Sequence, residues 1–166
     1  AFLSNVSTSN AQCSGTVSYT NCEGLTFDIN KSNITPNTWI WTGGYNTNTM
    51  SYVNSSCDII NCTSVYCIDL DKDHPGSIPY PYLFTEVSGH VAAGITELEA
   101  ERIQWIICNG QSMGYNSHDI KSAIYCVRGA PVECNSLATA AINAVPTVQG
   151  GISSQMKFYN PNSPHT

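Results

Sequence analysis

The stretch TELEAERIQWIICNG, residues 96–110, decides the fold class because it carries the clearest helical signal in the chain. Thr96 is followed three residues later by Glu99, which is the spacing of a capping box at a helix N-terminus. The helix that follows would carry three apolar residues on one face, Ile103, Ile106 and Ile107. Gly110 is a typical C′ residue at a helix end. We therefore predict a helix across this stretch.

Two further helices are predicted after it. The first, SHDIKSAIYCVRG over residues 117–129, has its N-cap, its first-turn acid and its stop residue at Ser117, Asp119 and Gly129. The second, NSLATAAINAVP over residues 135–146, is rich in alanine, and it opens and closes at Asn135 and Pro146.

The chain before residue 96 carries the period of β-strands. Short runs alternate polar residues with aromatic or β-branched ones: GTVSYTNC (15–22), GLTFDI (24–29), NTWIWTGGY (37–45) and TMSYVNSSC (49–57). A last strand is predicted at SSQMKFYN, residues 153–160. Strands, clustered helices and a final strand predict an α+β fold, with an antiparallel sheet or sandwich layer and a cluster of about three short helices in the second half.

The chain divides into an arm and a module. Residues 1–12, AFLSNVSTSNAQ, are polar enough to form a flexible arm or a strand that pairs with a partner. This start has neither Met nor an apolar signal core, which is typical of a mature N-terminus or of a boundary within a longer chain. Residues 13–166 are predicted to form a single disulfide-stapled module.

The composition excludes several classes of function. Net charge is −6, charged residues make up only 11% of the chain, and the six Lys and Arg residues are scattered. Without a basic patch to hold phosphates, nucleic-acid binding is not expected. No apolar run approaches the roughly 18 residues of a membrane span, so membrane insertion is not expected either. The motifs of serine hydrolases, zinc proteases, P-loops and dinucleotide-binding sites are absent from the sequence.

Eight cysteines suggest disulfides in an oxidising compartment. Their spacing lacks the paired motifs of zinc sites, so we expect no metal and no cofactor. The even count favours disulfides that use every one of them: Cys13, Cys22, Cys57, Cys62, Cys67, Cys108, Cys126 and Cys134. The shortest gaps suggest Cys13–Cys22 and Cys126–Cys134 as local pairs. We therefore expect a secreted, extracellular protein.

Sequons for N-glycosylation agree with secretion. Five asparagines precede x-Ser or x-Thr: Asn5, Asn30, Asn33, Asn54 and Asn61. They are candidate glycosylation sites on exposed loops.

Three other candidate sites have structural alternatives. Asp69, Asp71 and Asp73 are spaced as in a calcium loop, but the Gly and Glu of an EF-hand are missing, and turn carboxylates are the simpler interpretation. Cys67 could act as a nucleophile if a base lay close, the candidates being His74, His90, His118 and His165. An aromatic sugar-binding platform could form from residues that equally suit a core, namely Trp39, Trp41, Tyr45 and Tyr52.

Four motifs occur in the order found in one known family. VYCID (65–69), ERIQWIICNG (101–110), IKSAIYCV (120–127) and MKFYNPNS (156–163) resemble the thioester domains of Gram-positive surface adhesins, which carry a TQxA-type motif. The resemblance covers about residues 64–166. In that family a cysteine thiol displaces ammonia from a glutamine and leaves a thioester that a host amine attacks. The resemblance places the thiol at Cys67 and the glutamine at the position of Lys121.

Lysine at position 121 breaks this chemistry. Its side chain has no acyl carbon, so Cys67 and Lys121 cannot form a thioester, and Gln104 and Gln111 lie outside the motif. Pairing of all eight cysteines favours a disulfide for Cys67, to Cys108 or Cys126. Lys121 would then be a solvated or ion-paired helix residue. An isopeptide bond and an oxidative Cys–Lys bridge are the sharper alternatives.

We expect a non-enzymatic extracellular structural module of a surface appendage, fibril or adhesin, resembling a thioester domain without a functional thioester. Its partners would be copies of itself or neighbouring subunits of a cell-surface assembly, met through the arm or the polar tail YNPNSPHT. Low charge suits such packing because self-repulsion is small. The alternative is an adhesin module that binds a host protein or glycan, covalently or through aromatic residues. A Cys67 hydrolase is a third possibility.

Overall fold

A computed structural model describes residues 12–44, 48–70 and 82–162. Residues 1–11 of the predicted arm, with Asn5, lie outside the described residues. The described α-helices and β-strands are β1 (Thr16–Thr20), β2 (Thr26–Asn30), β3 (Thr38–Trp41), β4 (Thr49–Val53), β5 (Ile59–Ser64), β6 (Leu83–Val87), α1 (Glu97–Asn109), α2 (Ser117–Val127), α3 (Ser136–Ala144) and β7 (Phe158–Pro161), and a short 3-10 helix spans Lys31–Asn33. The predicted α+β class is confirmed.

The strands form two antiparallel sheets. β1 and β2 make a two-stranded sheet, and the other five follow the order β5-β4-β3-β6-β7. Trp39 of β3 lies opposite Tyr52 of β4 and Phe84 of β6. β5 and β6 were not predicted from the sequence. β5 carries a register irregularity opposite β4, where Asn61 adopts a positive φ of 54°.

Contacts divide the chain into two compact units. The first includes described residues 12–44, 48–65, 82–85 and 161–162, and the second includes 66–70 and 86–160. The single module predicted over residues 13–166 stays a prediction.

The first unit has an all-β core. One cluster of buried residues there consists of Cys13, Ile29, Ile34, Ile40 and Val53. The β1–β2 hairpin turns alternate side chains toward this core, among them Val17, Tyr19 and Phe27. The Tyr19 hydroxyl also bonds to Ser51 Oγ at 2.7 Å, which satisfies both polar groups next to the core.

The second unit has a helical core. α1 contributes Ile103 and Ile106, α2 contributes Ile120 and Ile124, and each of these side chains is fully buried. Ile107 was predicted on the same apolar face of α1, but it is 38% exposed. It follows Ile106 directly, and a helix rotates by about 100° per residue, so the buried face ends there.

The helix ends follow the predicted capping chemistry, with one correction. Thr96 and Glu99 form the capping box of α1. α2 is capped by Asn116 rather than by Ser117, because the Asn116 side chain accepts a hydrogen bond from the Asp119 amide and completes its own capping box. Gly129 follows α2 with a φ of 83°, as expected of a stop glycine.

Gly110 ends α1 for a different reason from the one predicted. Its φ of −57° is right-handed, so no left-handed turn requires glycine here. A Cβ at this position would lie 2.8 Å from Ile106 O and 2.8 Å from Ile120 Cγ1. The absent side chain therefore allows α1 and α2 to approach each other closely.

Gly110→Ala should lower the free energy of unfolding by about 1–3 kcal/mol, because the new methyl group overlaps a fully buried isoleucine. Urea denaturation of the variant checks this expectation. Gly151→Ala is the control, because a Cβ there meets no atom within 4 Å. Equal stability of the Gly110 variant and the wild type would contradict the close approach.

Three disulfides connect the described residues: Cys13–Cys57, Cys22–Cys62 and Cys126–Cys134. Only the predicted pair Cys126–Cys134 is confirmed. Cys13–Cys22 was wrong because these residues lie at opposite ends of β1. A strand of five residues spans about 16 Å, whereas a disulfide needs Cα atoms within about 7 Å.

Cys67 and Cys108 are free, which corrects the prediction that all eight cysteines pair. Cys126 is unavailable because it is bonded to Cys134. Cys108 is exposed in the last turn of α1, whereas Cys67 is half-buried beside Tyr125 of α2. The three disulfides that do form fit an oxidising compartment.

Among the described residues, no helix is long and apolar enough to cross a membrane.

Candidate functional site

The segment around Cys67 lies against the helical core of the second unit. Tyr66 and Ile68, on either side of Cys67, both pack against this core. Burial raises the pKa of Tyr66, and the neighbouring Gln111 side chain partly opposes this. The two flanking side chains therefore anchor the backbone that carries the Cys67 thiol.

The Cys67 thiol has two polar neighbours. Its sulfur donates a hydrogen bond to the Asp69 carbonyl oxygen at 3.5 Å, and it lies beside the Tyr125 side chain. A thiol is a weak donor, so the contact with Asp69 orients the group more than it stabilises it.

Tyr125 is the residue at which the site converges. Burial raises the pKa of its hydroxyl above the ordinary value, and the adjacent Cys67 and Asp69 raise it further. The phenol is therefore neutral at physiological pH. The neutral phenol can form a hydrogen bond with the Cys67 thiol, but it cannot remove the thiol proton as a general base.

Lys121 lies on the same ring. Its Nζ is 5.4 Å from the Tyr125 ring centroid, within the range of a cation–π contact. Residues four apart on a helix share a face, so this contact follows from the sequence of α2. The structure thus brings both positions named by the family resemblance, Cys67 and Lys121, to one tyrosine.

Arg128 holds the Cys67 segment in place. Its Nε donates to the Ile68 carbonyl at 3.0 Å, and its Nη1 pairs with Glu99 Oε2 at 3.1 Å. The two side chains are only 15% and 22% exposed, so solvent screens this pair less than a surface pair. Glu99 is also the capping acid of α1, so the Arg128 guanidinium joins the Cys67 segment and the N-terminus of α1 to the end of α2.

Neither Tyr125 nor Arg128 was predicted as a site residue from the sequence. The signal for Tyr125 was its spacing from Lys121. No local signal pointed to Arg128, because Ile68 is 60 residues away in the chain.

The glutamines outside the motif have other partners. Gln104 donates to the Gly151 carbonyl at 2.9 Å and accepts from the Ser153 amide at 2.6 Å. Gln111 lies beside Tyr66. The Gln104 carboxamide therefore holds the chain after α3 and is not positioned for acyl transfer to Cys67.

Glu101 fastens the same loop to α1. The residue is 4% exposed, and its carboxylate accepts hydrogen bonds from the amides of Gln149 at 2.8 Å and Gly151 at 2.7 Å. These amides lower the pKa of the Glu101 carboxyl, and burial opposes them to a smaller extent.

Glu101→Gln should lower the thermal midpoint of unfolding at pH 7 by several degrees. Because the pKa is lowered in the folded state, the carboxylate stabilises the fold above its ordinary pKa of 4.5. This contribution is lost as the pH falls through the folded-state pKa. Thermal scans at pH 7 and at about pH 2.5 should show the difference shrinking in acid.

Glu133→Gln on the exposed chain before α3 is the matched control, and its difference from the wild type should be small at both pH values. A Glu101 variant as stable as the wild type at pH 7 would contradict the role of this carboxylate.

Other candidate residues do not assemble around Cys67. Asp71, Asp73, His74 and His165 lie outside the described residues. Neither His90 nor His118, the histidines that the structure describes, forms a hydrogen bond with Cys67. In residues 12–44, 48–70 and 82–162, no group of three or more His, Cys, Asp or Glu side chains is arranged to hold a metal ion.

The predicted aromatic platform is only partly present. The Trp39 and Tyr52 rings lie 5.3 Å apart at 55°, and both are half-buried. Trp41 is 5% exposed and therefore belongs to the interior, and Tyr45 lies outside the described residues. Phe84, which was not among the predicted platform residues, is paired with Trp39 and shares its face of the sheet.

The sequon asparagines that the structure describes are accessible to different degrees. Asn30, Asn33 and Asn61 are exposed. Asn54 is half-buried, and its side-chain Oδ1 accepts hydrogen bonds from the amides of Ser56 and Asp58. Their glycosylation stays a prediction, as does that of Asn5.

Comparison of the chain with protein-family models, with curated proteins and with solved structures finds no match. The resemblance to thioester domains therefore stays a prediction that rests on the four short motifs.

Proposed function

We propose that this chain is a non-enzymatic structural module of an extracellular surface assembly, a thioester-domain-like unit in which no thioester forms. The observation that carries the proposal is the arrangement at Tyr125. The Cys67 thiol is free beside this tyrosine, and Lys121 lies over its ring where the family motif has a glutamine.

The chemistry of this arrangement supports a structural role. A thioester needs an acyl carbon within reach of the thiol, and Lys121 offers only an ammonium group. A cysteine hydrolase needs a base in hydrogen-bonding contact with the thiol. The described side chain that lies beside the Cys67 thiol is the Tyr125 phenol. Its raised pKa keeps it neutral, so it does not serve as that base.

Covalent and electrostatic features support an extracellular assembly. Three disulfides tie segments up to 44 residues apart, as suits an oxidising compartment. A charged fraction of 11% means that few charged side chains would lose their solvent where copies pack together.

Sedimentation velocity tests the assembly role. Over concentrations from about 10 µM to about 1 mM, the full chain should show reversible self-association in the range of weak protein contacts. A chain that stays strictly monomeric across this range would contradict the proposal.

A second candidate function is binding of a host glycan or protein. The half-buried pair of Trp39 and Tyr52 favours it, because such rings can stack on the apolar face of a sugar. On a glycan array, Trp39→Ala should abolish any binding without changing the circular dichroism, and Trp39→Phe should retain most of it. Binding that survives Trp39→Ala would remove this candidate.

A further inference from the structure

Edge strands decide how a β protein meets its neighbours, because each presents unpaired backbone groups. The two described sheets have four edges, formed by β1, β2, β5 and β7. Proteins commonly block such edges with bulges, prolines or charged residues.

Three of these edges carry a blocking feature. β5 has the register irregularity and the positive φ of Asn61, which interrupt a regular ladder. β7 ends in Pro161, which has no N–H to donate. β2 has Asp28 at its middle, so a second β2 strand would set one carboxylate against another.

β1 carries no such feature. Hydrogen bonds from Asn21 N to Leu25 O and from Lys31 N to Gly15 O fix which residues of the hairpin bond inward. By alternation, the backbone groups of three residues in β1 point outward, those of Thr16, Ser18 and Thr20. Within the described ranges, no backbone group of another element bonds to them.

We propose that the outer edge of β1 pairs antiparallel with β1 of a second copy of this chain, joining two hairpins into a four-stranded sheet. The inference rests on the proposed function and names the surface through which the module self-associates.

The edge is self-complementary about a two-fold axis at Ser18. Ser18 would face Ser18 of the second copy, and Thr16 would face Thr20. The outward groups of the two strands would form about six backbone hydrogen bonds. Uncharged hydroxyl side chains would line the joined strands on the outer face, where hydroxyl pairs are favourable. Val17 and Tyr19 stay in the core of their own copy.

Introducing a positive or a negative charge at Ser18 tests the proposal, with sedimentation equilibrium of the full chain as the measurement. Ser18→Lys and Ser18→Glu should each raise the dissociation constant of the homodimer about 5- to 10-fold, because like charges meet at the axis. An equimolar mixture of the two variants should associate at least as tightly as the wild type. Ser64→Lys makes the same substitution at an exposed position of the β5 edge and should leave the constant within about 2-fold.

Amide hydrogen exchange adds a readout at the edge itself. The amides of Thr16, Ser18 and Thr20 should become protected as the concentration rises. Melting curves of each variant confirm that it is folded.

Two results would overturn the proposal. If the wild type associates but both Ser18 variants associate equally well, the β1 edge is wrong and the assembly role stands. If the wild type is monomeric at about 1 mM, the assembly role fails together with the edge.

Discussion

Replacing Cys13 and Cys57 by alanine should lower the free energy of unfolding by about 4 kcal/mol, the largest effect of any change considered for this chain. The disulfide closes a loop of 44 residues, and it joins the segment before β1 to the turn after β4. Without it, the unfolded chain gains the entropy of that loop. Alanine avoids placing a hydroxyl group at the buried Cys13 position.

Urea denaturation without reductant measures this effect. Cys126→Ala with Cys134→Ala is the matched control, because that bond spans only eight residues and should contribute about 2.5 kcal/mol. A smaller loss for the Cys13–Cys57 variant than for the control would contradict the loop-entropy argument.

Ile120→Ala should cost about 3 kcal/mol, the next largest effect. The Ile120 side chain is fully buried, and its Cγ1 packs against Gly110 at the end of α1. Truncation therefore leaves a cavity between the two helices. Ile107→Ala, at a 38% exposed position of α1, should cost less than about 1 kcal/mol.

A double-mutant cycle sharpens this prediction. Gly110→Ala clashes with Ile120 in the wild type, but in the Ile120→Ala background the added methyl group enters the space that the isoleucine vacated. The two losses should therefore sum to more than the loss of the double variant, by at least about 1 kcal/mol. Additive losses would show that the two residues do not contact each other as described.

Local signals predicted most of the helical part. The capping box at Thr96 and Glu99, the stop at Gly129 and the cap at Asn135 each depend on residues within a few positions, so the sequence displays them. The shift from Ser117 to Asn116 reflects two adjacent residues that both cap well.

Features that depend on distant residues were not predictable in the same way. The partners of Cys13 and Cys22 lie 44 and 40 residues away, across strands whose pairing no local pattern specifies. β5 was missed because Asn61 and Cys62 interrupt the alternation that marks a strand.

In the candidate site, too, features set by neighbouring residues were predictable and features set by distant residues were not. The motif order identified Cys67 and Lys121, and helical spacing joins Lys121 to Tyr125. The hydrogen bond from Arg128 to Ile68 and its ion pair with Glu99 join three segments that are far apart in the sequence. Only the folded structure shows these contacts.

The intact mass of the deglycosylated, unreduced and denatured chain, with and without methylamine, tests the central claim about Cys67 most directly. Three disulfides should lower the mass by about 6 Da from the reduced value, and methylamine should add nothing. A further deficit of about 17 Da, replaced by a gain on treatment with methylamine, would show that a glutamine had lost ammonia to form a thioester. That result would contradict the account and make the chain a covalent adhesin.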